Sequence, residues 1–125
     1  FDHSNEPLII QRYLPEVRKG DCRVIMINGE VVGAVNRVPP KGEARSNLHV
    51  GGTAERKILS NKEMKICEAL SEELKKRELI LVGLDIIGNY LTEINVTSPT
   101  GIQEISKFNK TNLSAKFWDA VESYI

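Results

Sequence analysis

The stretch Gly83-Leu84-Asp85-Ile86-Ile87-Gly88-Asn89-Tyr90-Leu91-Thr92-Glu93-Ile94-Asn95-Val96 sets two acids and an amide among apolar, strand-forming residues. An acid inside so apolar a strand is costly unless it is paired, hydrogen-bonded or bound to a cation. Asp85, Glu93 and Asn95 are hard oxygen donors of the kind that suits Mg²⁺. Glu93 and Asn95 share a face because strand side chains alternate with period two. Asp85 joins them only if the connecting loop has an odd length, such as a three-residue Gly88-Asn89-Tyr90 turn. A two-residue turn predicts that Asp85 faces the other way and that the cluster fails. A second reading stands beside the cation: Asp85 and Glu93 pair with Arg or Lys on a neighbouring strand.

The remaining reactive side chains are scattered. Cys22 and Cys67 are far apart and have no partner at metal-ligand spacing, which predicts two reduced, buried thiols. His3 and His49 are equally isolated, so a zinc site is not expected, and His49 reads as a loop residue. No Cys–His or Ser–His pairing suggests a protein nucleophile. Three glycosylation sequons begin at Asn95, Asn109 and Asn112, but nothing in the sequence indicates secretion.

Composition narrows the class. The chain has 125 residues, with 17 Lys+Arg against 17 Asp+Glu and hence no net charge. A 41% hydrophobic and 27% charged content is globular, and the length suffices for one domain with a real core. Zero net charge lacks the field of a dedicated nucleic-acid or acidic-membrane binder. No apolar run approaches the roughly 20 residues of a membrane-spanning helix, and no secretory leader pattern opens the chain. A first residue of Phe rather than Met suggests a processed or excised piece.

These residues must be positioned by a small set of elements. Residues 8–14 read as a strand closed by Pro15, and 15–20 as a turn. Residues 22–27 and 30–37 are strand-forming runs separated by Asn28-Gly29, the strongest short-range hairpin signal. Residues 38–53, rich in Pro, Gly and charge, form an unusually long loop of the functional kind. Ser60 with Glu63 is a capping box opening a helix whose apolar stripe is Ile66, Cys67, Leu70 and Leu74. Residues 79–87 and 90–96 are strands joined by Gly88-Asn89, residues 102–108 start a short helix, and 112–125 end the chain as another. Strands beside segregated helices predict α+β, with a mainly antiparallel sheet and helices packed on one side.

In this order the motifs become familiar. Gly83-Leu84-Asp85-Ile86-Ile87-Gly88, followed by Thr92-Glu93-Ile94-Asn95-Val96-Thr97-Ser98-Pro99-Thr100-Gly101, resembles the C-terminal part of the ATP-grasp domain of bacterial glutathione synthetases. Gln11-Arg12-Tyr13-Leu14-Pro15, Gly20-Asp21-Cys22-Arg23-Val24, Gly29-Glu30, Arg37-Val38-Pro39 and Gly42-Glu43-Ala44-Arg45-Ser46-Asn47-Leu48 agree in order. The resemblance runs from about Leu8 to the last helix. An Asp…Glu-x-Asn triplet fits ATP-grasp enzymes generally, whereas the Ile-Asn-Val-Thr-Ser-Pro-Thr-Gly ending favours glutathione synthetases.

The resemblance implies roles. Asp85, Glu93 and Asn95 match ligands of a magnesium ion (or Mn²⁺ in its place) that bridges nucleotide phosphates. Gln11, Arg12, Tyr13 and Leu14 match the hinge along the adenine of ATP, and Asp21 and Arg23 match a nucleotide-side acid and a sheet-borne base. Arg37, Arg45 and Asn47 match groups near the transferred phosphate and the reacting carboxylate. Residues 38–53 match a mobile lid, and Ser98, Pro99, Thr100 and Gly101 match the loop beside the peptide substrate.

The implied activity is cytoplasmic: ATP phosphorylates the carboxylate of γ-glutamylcysteine, and glycine's amine attacks the acyl phosphate to give glutathione. Such chemistry needs positioning and charge neutralisation rather than a nucleophile. The first ATP-grasp subdomain and the preceding substrate domain do not fit in this length. The chain is therefore expected to be a single C-terminal subdomain of a homo-oligomeric synthetase, without turnover alone and without nucleic-acid or membrane partners. Another ATP-grasp amino-acid or peptide ligase, and a non-catalytic nucleotide-binding module, are the alternatives.

Overall fold

The computed structural model describes residues 7–43 and 51–125. A 3-10 helix, Pro15–Lys19, leads into β1 (Asp21–Ile27), β2 (Glu30–Val38), β3 (Thr53–Arg56), α1 (Asn61–Lys76), β4 (Leu81–Ile87), β5 (Tyr90–Asn95), α2 (Ile102–Asn109) and α3 (Leu113–Glu122). The strands form one antiparallel sheet in the order β3-β2-β1-β4-β5. The α+β class and the antiparallel sheet are as expected.

Local chemistry explains most of the elements. Asn28 and Gly29 both take positive φ, 50° and 76°, which a type I′ hairpin turn requires. Ser60 Oγ accepts from the Glu63 amide at 3.3 Å while Glu63 Oε2 accepts from the Ser60 amide at 2.7 Å, completing the capping box of α1. Asn112 caps α3 by accepting from the Ala115 amide at 3.0 Å.

The expectation of helices on one side is corrected: they cover both faces. Cys22, Val24 and Met26 of β1 pack with Cys67 and Leu74 of α1, whereas Ile25 and Ile27 pack with Ile105 of α2 and Leu113 of α3. Period-two alternation makes these opposite faces. The central strands β1 and β4 are buried nearly throughout, as strands covered on both faces are.

The strand expected over 8–14 is also corrected. No strand forms there, and Leu8, Ile9 and Ile10 are 60%, 88% and 82% exposed. Its composition is strand-like, but among the described residues no neighbour supplies the ladder partner a strand needs. The 38–53 loop begins one residue after its expected start, because Val38 closes β2, and Thr53 already belongs to β3. Its central residues 44–50, with Arg45, Asn47 and His49, lie outside the described residues. No helix among the described residues is long and apolar enough to cross a membrane.

Candidate functional site

The site is built on the α2/α3 face of the sheet, at the end those helices leave uncovered. Register sets its rows. Arg23 on β1 lies between Val35 on β2 and Asp85 on β4, and Asp85 lies opposite Glu93 on β5. Asp21 lies opposite Arg37, and Gly83 opposite Asn95.

The turn joining β4 and β5 has only two residues, with Ile87 paired to Tyr90 and Ile86 to Leu91. Gly88 has φ 61°, the positive value needed at the first position of a type II′ turn. A regular ladder from this turn would set Thr92 opposite Asp85 and turn Glu93 toward the α1 face. Instead a bulge at Thr92 shifts the register by one, and Glu93 becomes the partner of Asp85. Thr92 Oγ1 donates to the Asp85 carbonyl at 3.1 Å across the bulge. The expectation that a two-residue turn excludes Asp85 is thus overturned, because the odd residue sits in the strand rather than in the loop. The first hairpin uses the same device, an extra residue at Val32 that sets Gly33 opposite Ile25.

The alternative of pairing with arginine describes Asp85 directly. Arg23 Nε and Nη2 donate to Asp85 Oδ1 and Oδ2 at 2.5 and 3.0 Å, a two-pronged grip. Arg37 Nη2 lies 2.7 Å from Asp85 Oδ2 and 2.5 Å from Asp21 Oδ2, so one nitrogen bridges two carboxylates. Glu93 is the half-exposed member, 3.7 Å from Arg23 Nη2. Arg37 is 8% exposed, yet its Nε is buried and has no hydrogen-bond partner among the described residues. Burial works against the charge on Arg37, but the Asp85 and Asp21 carboxylates outweigh it and raise its pKa above the ordinary value.

The loop after β5 closes the cluster. Arg23 Nη1 donates to the Thr100 carbonyl at 3.1 Å, tying residues 98–101 to the charged row. Asn95 Oδ1 accepts from the amides of Thr97 and Ser98 at 3.1 and 3.2 Å. Gly83 makes this packing possible, since a Cβ there would sit 2.5 Å from Pro99 Cβ and crowd the Arg23 side chain. Gly83 and Thr92 are the positions shaping this cluster that the sequence reading missed. A glycine inside an apolar strand was the available signal for the first, and nothing local marks the second.

The other predicted residues lie alongside. Gln11, Arg12, Tyr13 and Leu14 line a hollow of about 360 Å³ with Glu16 and the start of β5, including Thr92 next to Glu93. Tyr13 also borders a second hollow of about 400 Å³, lined by Arg18, Pro39, Pro40 and Lys41 where the loop leaves β2. Arg18 Nε donates to the Tyr13 hydroxyl at 3.3 Å. Arg45 and Asn47 are outside the described residues.

Asp85, Glu93 and Asn95 supply two carboxylates and an amide from neighbouring positions of one face, a donor set suited to a hard cation. Among the described residues, no three His, Cys, Asp or Glu side chains are arranged to hold one. Asp85 is engaged by arginine and Asn95 by backbone amides, so the oxygens fit a cation in kind but are otherwise occupied. Away from the site, Cys22 and Cys67 are free and buried, as expected. Burial, with Glu63 nearby, pushes Cys22 up to about 12 and Cys67 up to about 11.

Comparison with known proteins gives the family. The family model for prokaryotic glutathione synthetase, ATP-grasp domain, matches residues 1–110. A glutathione synthetase of Brucella melitensis is 59% identical over 118 residues, covering 94% of this chain and 38% of that protein. Those of Mesorhizobium japonicum and Synechococcus elongatus are 56% and 45% identical over 117 and 119 residues, each covered for 37% of its length. The chain thus spans a little over a third of the curated relatives it matches, and it belongs to the prokaryotic glutathione synthetase ATP-grasp family.

Proposed function

We propose that the charged end of the sheet is the phosphate and cation side of an ATP-dependent carboxylate–amine ligase of glutathione synthetase type. The observation that carries this reading is the buried Arg37. It shares two carboxylates through one nitrogen and keeps an Nε–H without a partner among the described residues, as a group built to meet an oxyanion would. Mg²⁺, held by Asp85, Glu93 and Asn95, would neutralise phosphate oxygens and fix their geometry. Gln11, Arg12, Tyr13 and Leu14 border the adenine, while Asp21 and Arg23 hold the arginine-carboxylate network in register.

In the proposed reaction the γ-phosphoryl group of ATP passes to the terminal carboxylate of γ-glutamylcysteine, giving an acyl phosphate and ADP. Glycine's amine then attacks the acyl carbon, phosphate leaves, and the amine loses its proton as the amide forms. Arg37, with Arg45 and Asn47, orients and neutralises the transferred group, because a guanidinium fork matches phosphate and carboxylate oxygens. Residues 38–53 exclude water, to which an acyl phosphate is labile. Ser98, Pro99, Thr100 and Gly101, tethered through Arg23, border the peptide. The setting is cytoplasmic and the assembly homo-oligomeric; the two free thiols suit a reducing compartment.

The test is a chimera in which this chain replaces the matched 118-residue segment of the Brucella melitensis relative. Glutathione and ADP are expected in equal amounts, and Arg37→Ala is expected to lower kcat/KM by about 100- to 1,000-fold. The 125-residue chain alone is expected to show no turnover. A folded chimera that releases ADP only with a different carboxylate would identify another ATP-grasp ligase instead, and one that binds nucleotide without any turnover would identify a non-catalytic module.

A further inference from the structure

The charged cluster has a property that the ligase reading does not require. A site that collects a free divalent cation leaves its carboxylates open to it. Here Asp85, one of two carboxylates among the candidate donors, has both oxygens taken by guanidinium groups: Oδ1 by Arg23, and Oδ2 by Arg23 and Arg37. Among the described residues, the ion pairs of the cluster join Asp21, Asp85 and Glu93 to Arg23 and Arg37. A lone dication beside both arginines would meet like charges at a few ångströms, in a place where little water screens them.

The two arginines differ. Arg23 is fully committed: it grips Asp85 with two nitrogens, donates to Thr100 with a third, and packs against Gly83 and Gly101. Arg37 holds its carboxylates through Nη2, and its buried Nε–H has no acceptor among the described residues. It stands next to the last residue of β2, immediately before the Pro39-Pro40 exit of the chain. Of the two, Arg37 loses less by moving off Asp85, and an oxyanion would satisfy its idle donor.

We propose that Arg37 is a placeholder on Asp85, which excludes free divalent cations and yields its place only to a cation arriving with a polyphosphate anion. The anion draws off the Arg37 guanidinium, and the cation then takes the place that Arg37 leaves on Asp85 Oδ2, with Arg23 still bonded to that carboxylate. Arg37 is in this respect a positioning residue that makes the site selective for the cation–polyphosphate complex over the bare ion. The inference rests on the proposed cation-and-phosphate reading of this end of the sheet, but it concerns binding and not turnover.

The test uses the full 125-residue chain and Mn²⁺ alone, followed by electron paramagnetic resonance of the unbound ion. The wild-type chain is expected to bind no more Mn²⁺ than its Asp85→Asn variant. Arg37→Met, which removes the placeholder charge at similar bulk, is expected to bind Mn²⁺ about tenfold more tightly or better. The double variant Arg37→Met/Asp85→Asn is expected to lose that gain. Arg37→Gln provides the same comparison should the methionine variant not fold, with folding checked by circular dichroism. Equal Mn²⁺ binding by wild type and both Arg37 variants would overturn the proposal, as would a gain that survives Asp85→Asn. A chimera without glutathione formation would sink the ligase reading and leave this gain intact, so the two failures are distinguishable.

Discussion

The two ends of one sheet face are both buried, by opposite means. Along β1 the residues Asp21, Arg23, Ile25 and Ile27 point to the same face. Ile25 and Ile27 are buried under α2 and α3, with Ile105 and Leu113 fully enclosed beside them. Asp21 and Arg23 lie beyond those helices, where Asp21 is paired with Arg37 and Arg23 with Asp85 and the loop at Thr100. At the apolar end burial itself supplies the stability. At the charged end burial costs desolvation, which ion pairing must offset, and such an arrangement is weak evidence for stability. Stability alone therefore does not account for the charged end, which accords with the binding role proposed for it.

The sharpest way to break this contrast is to remove a single charge. Asp85→Ala removes the two-pronged partner of the buried Arg23 and one of the two carboxylates on Arg37, and is expected to lose about 3–5 kcal/mol in urea unfolding. Replacing Asp21, Arg23, Arg37 and Asp85 together by apolar residues of similar volume is expected to restore most of that loss. If the fourfold variant were as unstable as Asp85→Ala, the charged end would be stabilising in its own right. At the other end, Ile25→Ala is expected to lose about 2–5 kcal/mol through a cavity under α2, with no compensating combination of charges.

Smaller effects come from the opposite face, where α1 lies. Ser60→Ala is expected to lose about 1 kcal/mol with the cap. Burial favours the neutral form of Glu63, but the Ser60 amide and hydroxyl and Lys57, 2.9 Å away, win and hold its carboxyl below its ordinary value of 4.5. A carboxyl lowered on folding stabilises fully above its unfolded value, and the contribution is lost as pH falls through the folded one. The stability difference between wild type and Glu63→Gln is therefore expected to be constant near neutrality and to shrink as the pH drops below about 4.5. The least perturbing probe is thiol reactivity. With Cys22 and Cys67 raised to about 12 and 11, both thiols are protonated at neutral pH and enclosed. Ellman's reagent is expected to react with them only at the rate of unfolding.

What the sequence by itself determined is whatever a few adjacent residues decide. The Asn28-Gly29 turn, the Ser60–Glu63 cap, the apolar stripe of α1 and the alternation that unites Glu93 with Asn95 are local, because backbone dihedrals and hydrogen bonds within one turn select them. The order of motifs along the chain also carried the family. Tertiary structure alone decided which strands became neighbours, and with them the rest. It left residues 8–14 without a ladder, put helices on both faces, and brought Arg23 between Val35 and Asp85. It also placed the odd residue at Thr92 inside β5 rather than in the turn, and so turned Glu93 toward Asp85. The physical reason is register: one inserted residue reverses every side chain beyond it, and no local propensity marks where a ladder absorbs it.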